Sequence, residues 1–388
     1  MEDQEKMRFM VQLAPDFPLG ELQQIALMLE CADVFVPGYI PPAVGMYDLG
    51  GHFCGSMIDK VDLIMLPDRN IVSRLAKATT GAPADDHMRL AAAVLAFAQC
   101  LDIQIEPSIA YHELGPTQGS AAAYEELARF RVADETHPRL WLDLALERLD
   151  RIPPQHHPVT AAEYRDLSRP LHRWRCNYIA ALKIGELELL SLTPVERALR
   201  LFEWMYNDFI LAGPAAIFAC HYFAPRFPRK RLIKGLRSAQ RDRALAGIAN
   251  AAWDITHLSD FVRRVNEGCT GDTRYLFASL DEGLRRIART LFTTTTEDPS
   301  LDRLAHELKA WWPADQARAI ANHLSEAMHR ARDQSWYELQ RSSPNTISEF
   351  IAEGESTLRA WSSTGVNPSG SAATGEPPSP NCALSQSD

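Results

Sequence analysis

Val61-Asp62-Leu63-Ile64-Met65-Leu66-Pro67-Asp68-Arg69-Asn70-Ile71-Val72-Ser73-Arg74-Leu75-Ala76 is the stretch that decides the fold. An apolar run of strand length (61–67) ends in a carboxylate and an amide. A segment with helical apolar spacing (71–78) follows at once. The pattern is strand, tip, helix, the repeating unit of an α/β sheet. In open α/β sheets ligands bind beyond the carboxyl ends of the strands, which is where Asp68 and Asn70 stand. Asp and Asn are also ordinary helix caps, so the tip acquires meaning only from what else reaches it.

Working outward, the same design returns far downstream. Tyr275-Leu276-Phe277-Ala278-Ser279-Leu280-Asp281 is a second apolar run ending in an acid, with a strand expected over 274–279 and a helix over 282–291. Between the two, the spacing predicts a helix over 86–101 capped by Asp85. A strand from Ile103 to Ala110 then ends near Tyr111-His112-Glu113-Leu114, and a helix capped by Ser120 runs on to Arg131. Upstream, Leu19–Glu30 has a helical period, Val34-Phe35-Val36-Pro37 reads as a short strand, and the Pro- and Gly-rich segment through Gly51 reads as a loop.

The remaining chain is mostly helical in pattern. Helices are expected over 138–150, 160–185, 193–211, 214–224 and 244–266, the third opened by the capping box Thr193-Pro194-Val195-Glu196. The expected organisation is an N-terminal extension (1–60), an α/β core in two parts (61–131 and 244–291), a helical insertion (132–243) and C-terminal helices (292–361). From about Ser362 the composition turns to Ser, Gly, Pro, Asn and Ala, which predicts a disordered tail (362–388).

Composition bounds the function classes. The chain has 388 residues, 46% hydrophobic and 23% charged, the proportions of a globular protein able to bury a sizeable core. A formal net charge of -10 excludes a surface that binds polyanions everywhere, so nucleic-acid contact has to come from a local basic patch. Seven scattered cysteines without a CxxC pair read as reduced thiols. The acidic, polar Met1-Glu2-Asp3-Gln4 start and the lack of a run of ~20 apolar residues predict a cytoplasmic protein without membrane contact. Neither the P-loop nor the dinucleotide glycine motif is present. His156-His157 lies in a Pro-rich loop, and Cys220 and His221 lie on an apolar helix and read as core.

Four carboxylates fall at equivalent structural places: Asp68 at the first strand tip, Glu113 past the second, Asp254 in a small-residue helix, and Asp281 at the last tip. Converging carboxylates repel unless a cation joins them, and hard oxygen donors suit Mg²⁺ or Mn²⁺. In order, residue type and context these residues resemble the PIN-like nuclease superfamily. Its Asp-x-Asn is matched by Asp68-Arg69-Asn70, its second acid by Glu113, its acid in an alanine-rich helix by Asp254, and its Ser/Thr-x-Asp by Ser279-Leu280-Asp281. The resemblance spans roughly 61–131 and 244–290.

It implies a three-layer core around a parallel sheet, with Asp68, Glu113, Asp254 and Asp281 as metal-holding catalytic residues and Asn70 and Ser279 in support. The implied reaction is metal-assisted hydrolysis of a phosphodiester, RNA above all, leaving 5′-phosphate and 3′-hydroxyl ends. Toxin, defence and RNA-processing roles stay open, and with them a protein inhibitor or a homo-oligomer as partner. Asp62 and Glu125-Glu126 are weaker substitutes for the four acids.

A basic stretch precedes the Asp254 helix and includes Arg226, Arg229, Lys230, Arg231, Lys234 and Arg237. Phosphate contacts from such a cluster supply most non-specific nucleic-acid affinity, and Tyr222, Phe223 and Phe227 are candidates to stack bases. The alternative reading is a non-catalytic helical interaction protein that keeps a degenerate PIN-like core as scaffold.

Overall fold

The computed structural model describes residues 12–41, 44–156, 165–228, 232–269, 271–292, 301–333, 336, 338 and 346–362. The elements run α1 (Leu19–Ala32), β1 (Phe35–Pro37), α2 (Leu49–Met57), β2 (Asp62–Pro67), α3 (Arg69–Ala78), α4 (Asp86–Cys100), β3 (Gln104–Ile105), α5 (Ser108–Gln118), α6 (Ser120–Glu135) and α7 (Pro138–Ala145). They continue with α8 (His172–Leu189), α9 (Pro194–Asn207), α10 (Gly213–Tyr222), α11 (Arg241–Gly268), β4 (Thr273–Ala278), α12 (Glu282–Leu291), α13 (Leu301–Leu308), α14 (Ala314–Arg330) and α15 (Ile347–Ala360). The chain is mostly helical around a four-stranded mixed sheet of order β1-β4-β2-β3.

β2 and β4 are adjacent and parallel, with Asp62 opposite Thr273 and Pro67 opposite Ala278. Their tips therefore finish side by side, although more than two hundred residues separate them. Both faces of this sheet are covered. Leu63, Met65, Leu276 and Ala278 pack with α1, α3, α4 and α7, while Ile64, Leu66, Tyr275 and Phe277 pack with α8, α10, α11 and α12. The alternation along each strand sends successive side chains to opposite layers, so the continuous apolar runs reflect burial on both sides.

Several expectations are corrected. The sheet is not wholly parallel: β1 pairs antiparallel with β4, Phe35 facing Ala278, because α1 delivers the chain at the finishing end of β4. The strand expected over 103–110 is only Gln104–Ile105. There the Glu106 carboxylate accepts the Ser108 N–H (3.0 Å) and a helix begins, with Ala110, Tyr111 and Leu114 on its buried face. Glu113 is thus a helical residue. Ser120 does not cap α6; Gly119 occupies that position, and the Ser120 hydroxyl accepts the Leu167 N–H instead (2.9 Å). The loop read through Gly51 closes early, because Asp48 accepts the Gly51 N–H (2.7 Å) and starts α2 despite its glycines. The tail from 363 and His157 lie outside the described residues, as does part of the helix expected over 160–185.

His221 is core, as its helix suggested. It is buried, with one ring nitrogen against the Ile217 carbonyl (2.9 Å) and the other against the Thr290 hydroxyl (3.2 Å). Burial lowers its pKa from 6.5 to about 4. The folded state therefore refuses a proton that the unfolded chain takes up below pH 6.5. This contribution to stability is intact above that pH, declines as pH falls toward 4 and is constant below, for a total of roughly 3 kcal/mol. Urea titrations should show that slope between pH 6.5 and 4 in the wild type and a shallower one in His221→Gln.

Candidate active site

The first strand tip is held by the second. The Asp68 N–H donates to the Ala278 carbonyl (2.8 Å), extending the β2–β4 ladder by one residue. The Asp68 carboxylate caps α3 through the Ile71 N–H (3.1 Å) and accepts the Ser279 hydroxyl. Ser279 in turn accepts the Asp281 N–H (3.0 Å), and Asp281 caps α12 through the Leu284 N–H (3.1 Å). Arg285, buried below, donates to the Ser279 carbonyl (2.8 Å). Asp68 and Ser279 are both buried, whereas Asp281 is half-buried and Asn70 exposed. Burial raises the Asp68 pKa against the opposing effects of Ser279, His257, the Ile71 N–H and Asn70.

The other two acids reach this corner from α5 and α11. Glu113 meets the His257 ring at 3.3 Å, across 144 residues of chain. Asp254 lies one turn before His257 on α11. Burial, reinforced in descending order by the negative charges of Glu113, Asp281 and Asp68 and opposed by Lys234, holds the Asp254 carboxyl well above the ordinary range. The four residues singled out in the sequence therefore share one electrostatic neighbourhood.

A comparison within α11 shows how unusual Asp254 is. Asp260, nearly two turns on, is also buried, but it is bonded by Arg173 (2.7 Å), Arg263 (2.7 Å) and Arg264 (2.9 Å). Burial would raise its carboxyl too, yet the guanidiniums beside it hold it below the usual value. Asp254 forms no hydrogen bond or ion pair among the described residues. A half-buried acid facing three others, without a hydrogen-bond or ion-pair partner among the described residues, is costly to the fold.

The donor chemistry, four carboxylates with hydroxyl and amide support, fits a hard divalent cation. Among the described residues, however, no group of three or more His, Cys, Asp or Glu side chains is arranged to hold an ion. The N-termini of α3 and α12 both open at this corner, so their backbone dipoles favour negative charge there, whether carboxylate or phosphate.

The basic stretch meets the site through Lys234. A Cβ added to Gly247 would lie 1.8 Å from the Lys234 carbonyl oxygen, so this segment is seated directly on α11. Gly247, Ala251 and Asp254 fall on one helix face. Leu232 reaches the other side, near Gly283 at the start of α12. Lys234 and Arg226 are exposed. Arg237 is engaged with Glu188 (3.2 Å), and Arg229, Lys230 and Arg231 lie outside the described residues. Tyr222, Phe223 and Phe227 are buried among core side chains, which removes them as base-stacking platforms.

Other readings sort simply. Asp62 begins β2 at the far end of the sheet. Glu126 is the partner of Arg69 (2.8 Å), which also donates to the Ala110 carbonyl (3.3 Å), so Arg69 braces α3 against α5 and α6. Sequence reasoning missed His257; its only signal was a position three residues beyond Asp254 on the same helix. It also missed the three arginines around Asp260. The cysteines at 31, 54, 100, 176, 220 and 269 are free thiols. No described helix is long and apolar enough to cross a membrane. Comparison with protein-family models, curated proteins and solved structures finds no match for this chain.

Proposed function

We propose that the chain is a divalent-metal-dependent nuclease with a PIN-like core, hydrolysing phosphodiester bonds with RNA as its substrate class. The observation that carries this reading is Asp254 on α11, which has no hydrogen bond or ion pair among the described residues and whose carboxyl is held high by burial and by the negative charges of Glu113, Asp281 and Asp68. Asp68, Glu113, Asp254 and Asp281 would hold Mg²⁺ or Mn²⁺. A bound ion would supply an activated water and stabilise the leaving oxygen.

The remaining groups act on geometry and charge. Ser279 fixes the Asp68 carboxylate and the backbone of Asp281 at once. His257 holds Glu113 toward the corner. Asn70 stands exposed at the mouth, and Lys234 with Arg226 would draw the phosphate backbone toward it.

A scaffold reading with a degenerate site is favoured by the absence, among the described residues, of a set of side chains arranged to hold an ion. Cleavage of labelled single-stranded RNA in Mn²⁺ separates the two. The wild type is expected to leave 5′-phosphate ends and to stop in EDTA, with Asp68→Ala and Asp281→Ala slower by about 10³-fold. Equal cleavage by all three proteins would defeat the nuclease assignment. So would no cleavage by the wild type across RNAs of varied sequence and structure, and the scaffold reading would then stand.

A further inference from the structure

The far end of the sheet holds a second feature, independent of the acidic corner. Where β2, β3 and β4 begin, Tyr39, Ile40, Gly45, Met46 and residues of α2 close over a cavity of about 220 Å³. It lies roughly 17 Å from Asp68, five strand residues away from Leu63. Leu63, Leu101 and Ile103 give it apolar walls, and Met46 and Ile40 approach from the covering segment.

Its polar groups are unbalanced. Asp59, Asp62 and Asp102 all line it, and none pairs with a cation among the described residues. The sole lining arginine, Arg274, donates to the backbone carbonyls of Gly271 (2.5 Å) and Thr273 (3.1 Å) rather than to a carboxylate. The His52 Nε2 faces the Met46 carbonyl (2.7 Å), which makes that nitrogen the protonated one and leaves Nδ1 an acceptor. Burial lowers the His52 pKa against the opposing effects of the Met46 carbonyl and Asp48, which favours the neutral ring. The Tyr39 hydroxyl makes no hydrogen bond among the described residues, and burial pushes its pKa up to about 12. Three exposed carboxylates at the rim, with these acceptors, thus face a chamber lined about equally by polar and apolar groups.

We propose that this cavity binds a small organic cation, an ammonium group carried on an apolar body, with the body against Leu63, Leu101 and Ile103 and the ammonium toward Asp59, Asp62 and Asp102. A concave pocket that joins apolar walls to a few convergent polar groups is the usual form of a small-molecule site. Opposite charge at its mouth selects the ligand class more than it sets the affinity.

Phenethylamine is a suitable probe, with 2-phenylethanol and 3-phenylpropionate as neutral and anionic counterparts of similar size. Titration calorimetry and NMR shift perturbation, done in EDTA so that the acidic corner plays no part, should show the amine binding at least fivefold more tightly than the alcohol. The acid should not bind. Asp62→Asn combined with Asp102→Asn should reduce amine affinity at least fivefold and leave alcohol binding unchanged.

Gly55 also lines the cavity, and a Cβ there meets nothing within 4 Å. Gly55→Phe should therefore fold, as checked by its melting curve, and abolish binding of both probes. Equal binding of amine and alcohol, amine binding that survives Gly55→Phe, or no amine binding up to millimolar concentration would overturn the proposal. None of these outcomes bears on RNA cleavage.

Discussion

Asp254→Asn is expected to make the protein more stable and inactive at once. The folded state raises the Asp254 pKa, so the ionised carboxylate costs the fold, and that cost grows as pH rises through the unfolded value toward the folded one. Asn removes the charge with little change of shape. Stabilising changes at strained functional positions commonly give about 0.5–2 kcal/mol, at the expense of function. At neutral pH in EDTA the melting temperature should rise.

The second half of this expectation concerns the cation. A divalent ion that binds only the folded state raises its apparent stability in proportion to the logarithm of its concentration. Mn²⁺ should therefore raise the melting temperature of the wild type and leave that of Asp254→Asn unchanged, while RNA cleavage falls by roughly 10³-fold or more. If the Asp254→Asn variant melts below the wild type in EDTA, Asp254 has a stabilising partner and the reading of the corner fails. If Mn²⁺ shifts both proteins equally, the ion binds elsewhere.

Gly247→Val should be the most damaging single change in the core helix. By helix propensity alone, replacing an interior glycine by alanine stabilises by about 0.5–1 kcal/mol, and valine recovers only part of that. Here the added Cβ would sit 1.8 Å from the Lys234 carbonyl oxygen, and the obstacle is backbone, which cannot rotate aside. Overpacking of this kind typically costs about 1–3 kcal/mol and occasionally more, and a β-branched residue adds to it. The clash outweighs the propensity gain, for a net loss of about 2 kcal/mol or more.

Gly20→Ala in α1 is the control, because nothing lies within 4 Å of a Cβ there. Urea denaturation should place Gly247→Val well below the wild type and Gly20→Ala at or slightly above it. Loss of the seat beneath Lys234 should also weaken RNA binding by Gly247→Val at low salt. A Gly247→Val protein as stable as the wild type would show that the basic segment is not held against α11.

The two strand tips were readable because burial on two faces leaves a continuous apolar run, and because an acid at a strand end also caps the next helix. Asp68 and Asp281 both do so, and the expected range 282–291 of α12 is the observed one. Glu113 was expected just past a strand and lies within α5 instead. The strand expected over 103–110 gives way to the Glu106–Ser108 turn and the apolar face that starts at Ala110. Phe227 shows the limit of composition: an aromatic in a basic stretch looks like a stacking platform until its edge contacts with His221 and Trp311 place it in the core.

Local sequence was enough for the starts of α4, α9 and α12, the two long strands, and the order of the acids, because these depend on periodicity and on side chains that bond within three or four residues. Tertiary packing set the antiparallel direction of β1, the tie of Arg69 to Glu126, and the three arginines that neutralise Asp260 while none among the described residues pairs with Asp254. Glu113 and His257 meet across 144 residues. Contacts of that separation are set by how α5 and α11 pack on opposite layers of one sheet, and no local propensity encodes such packing.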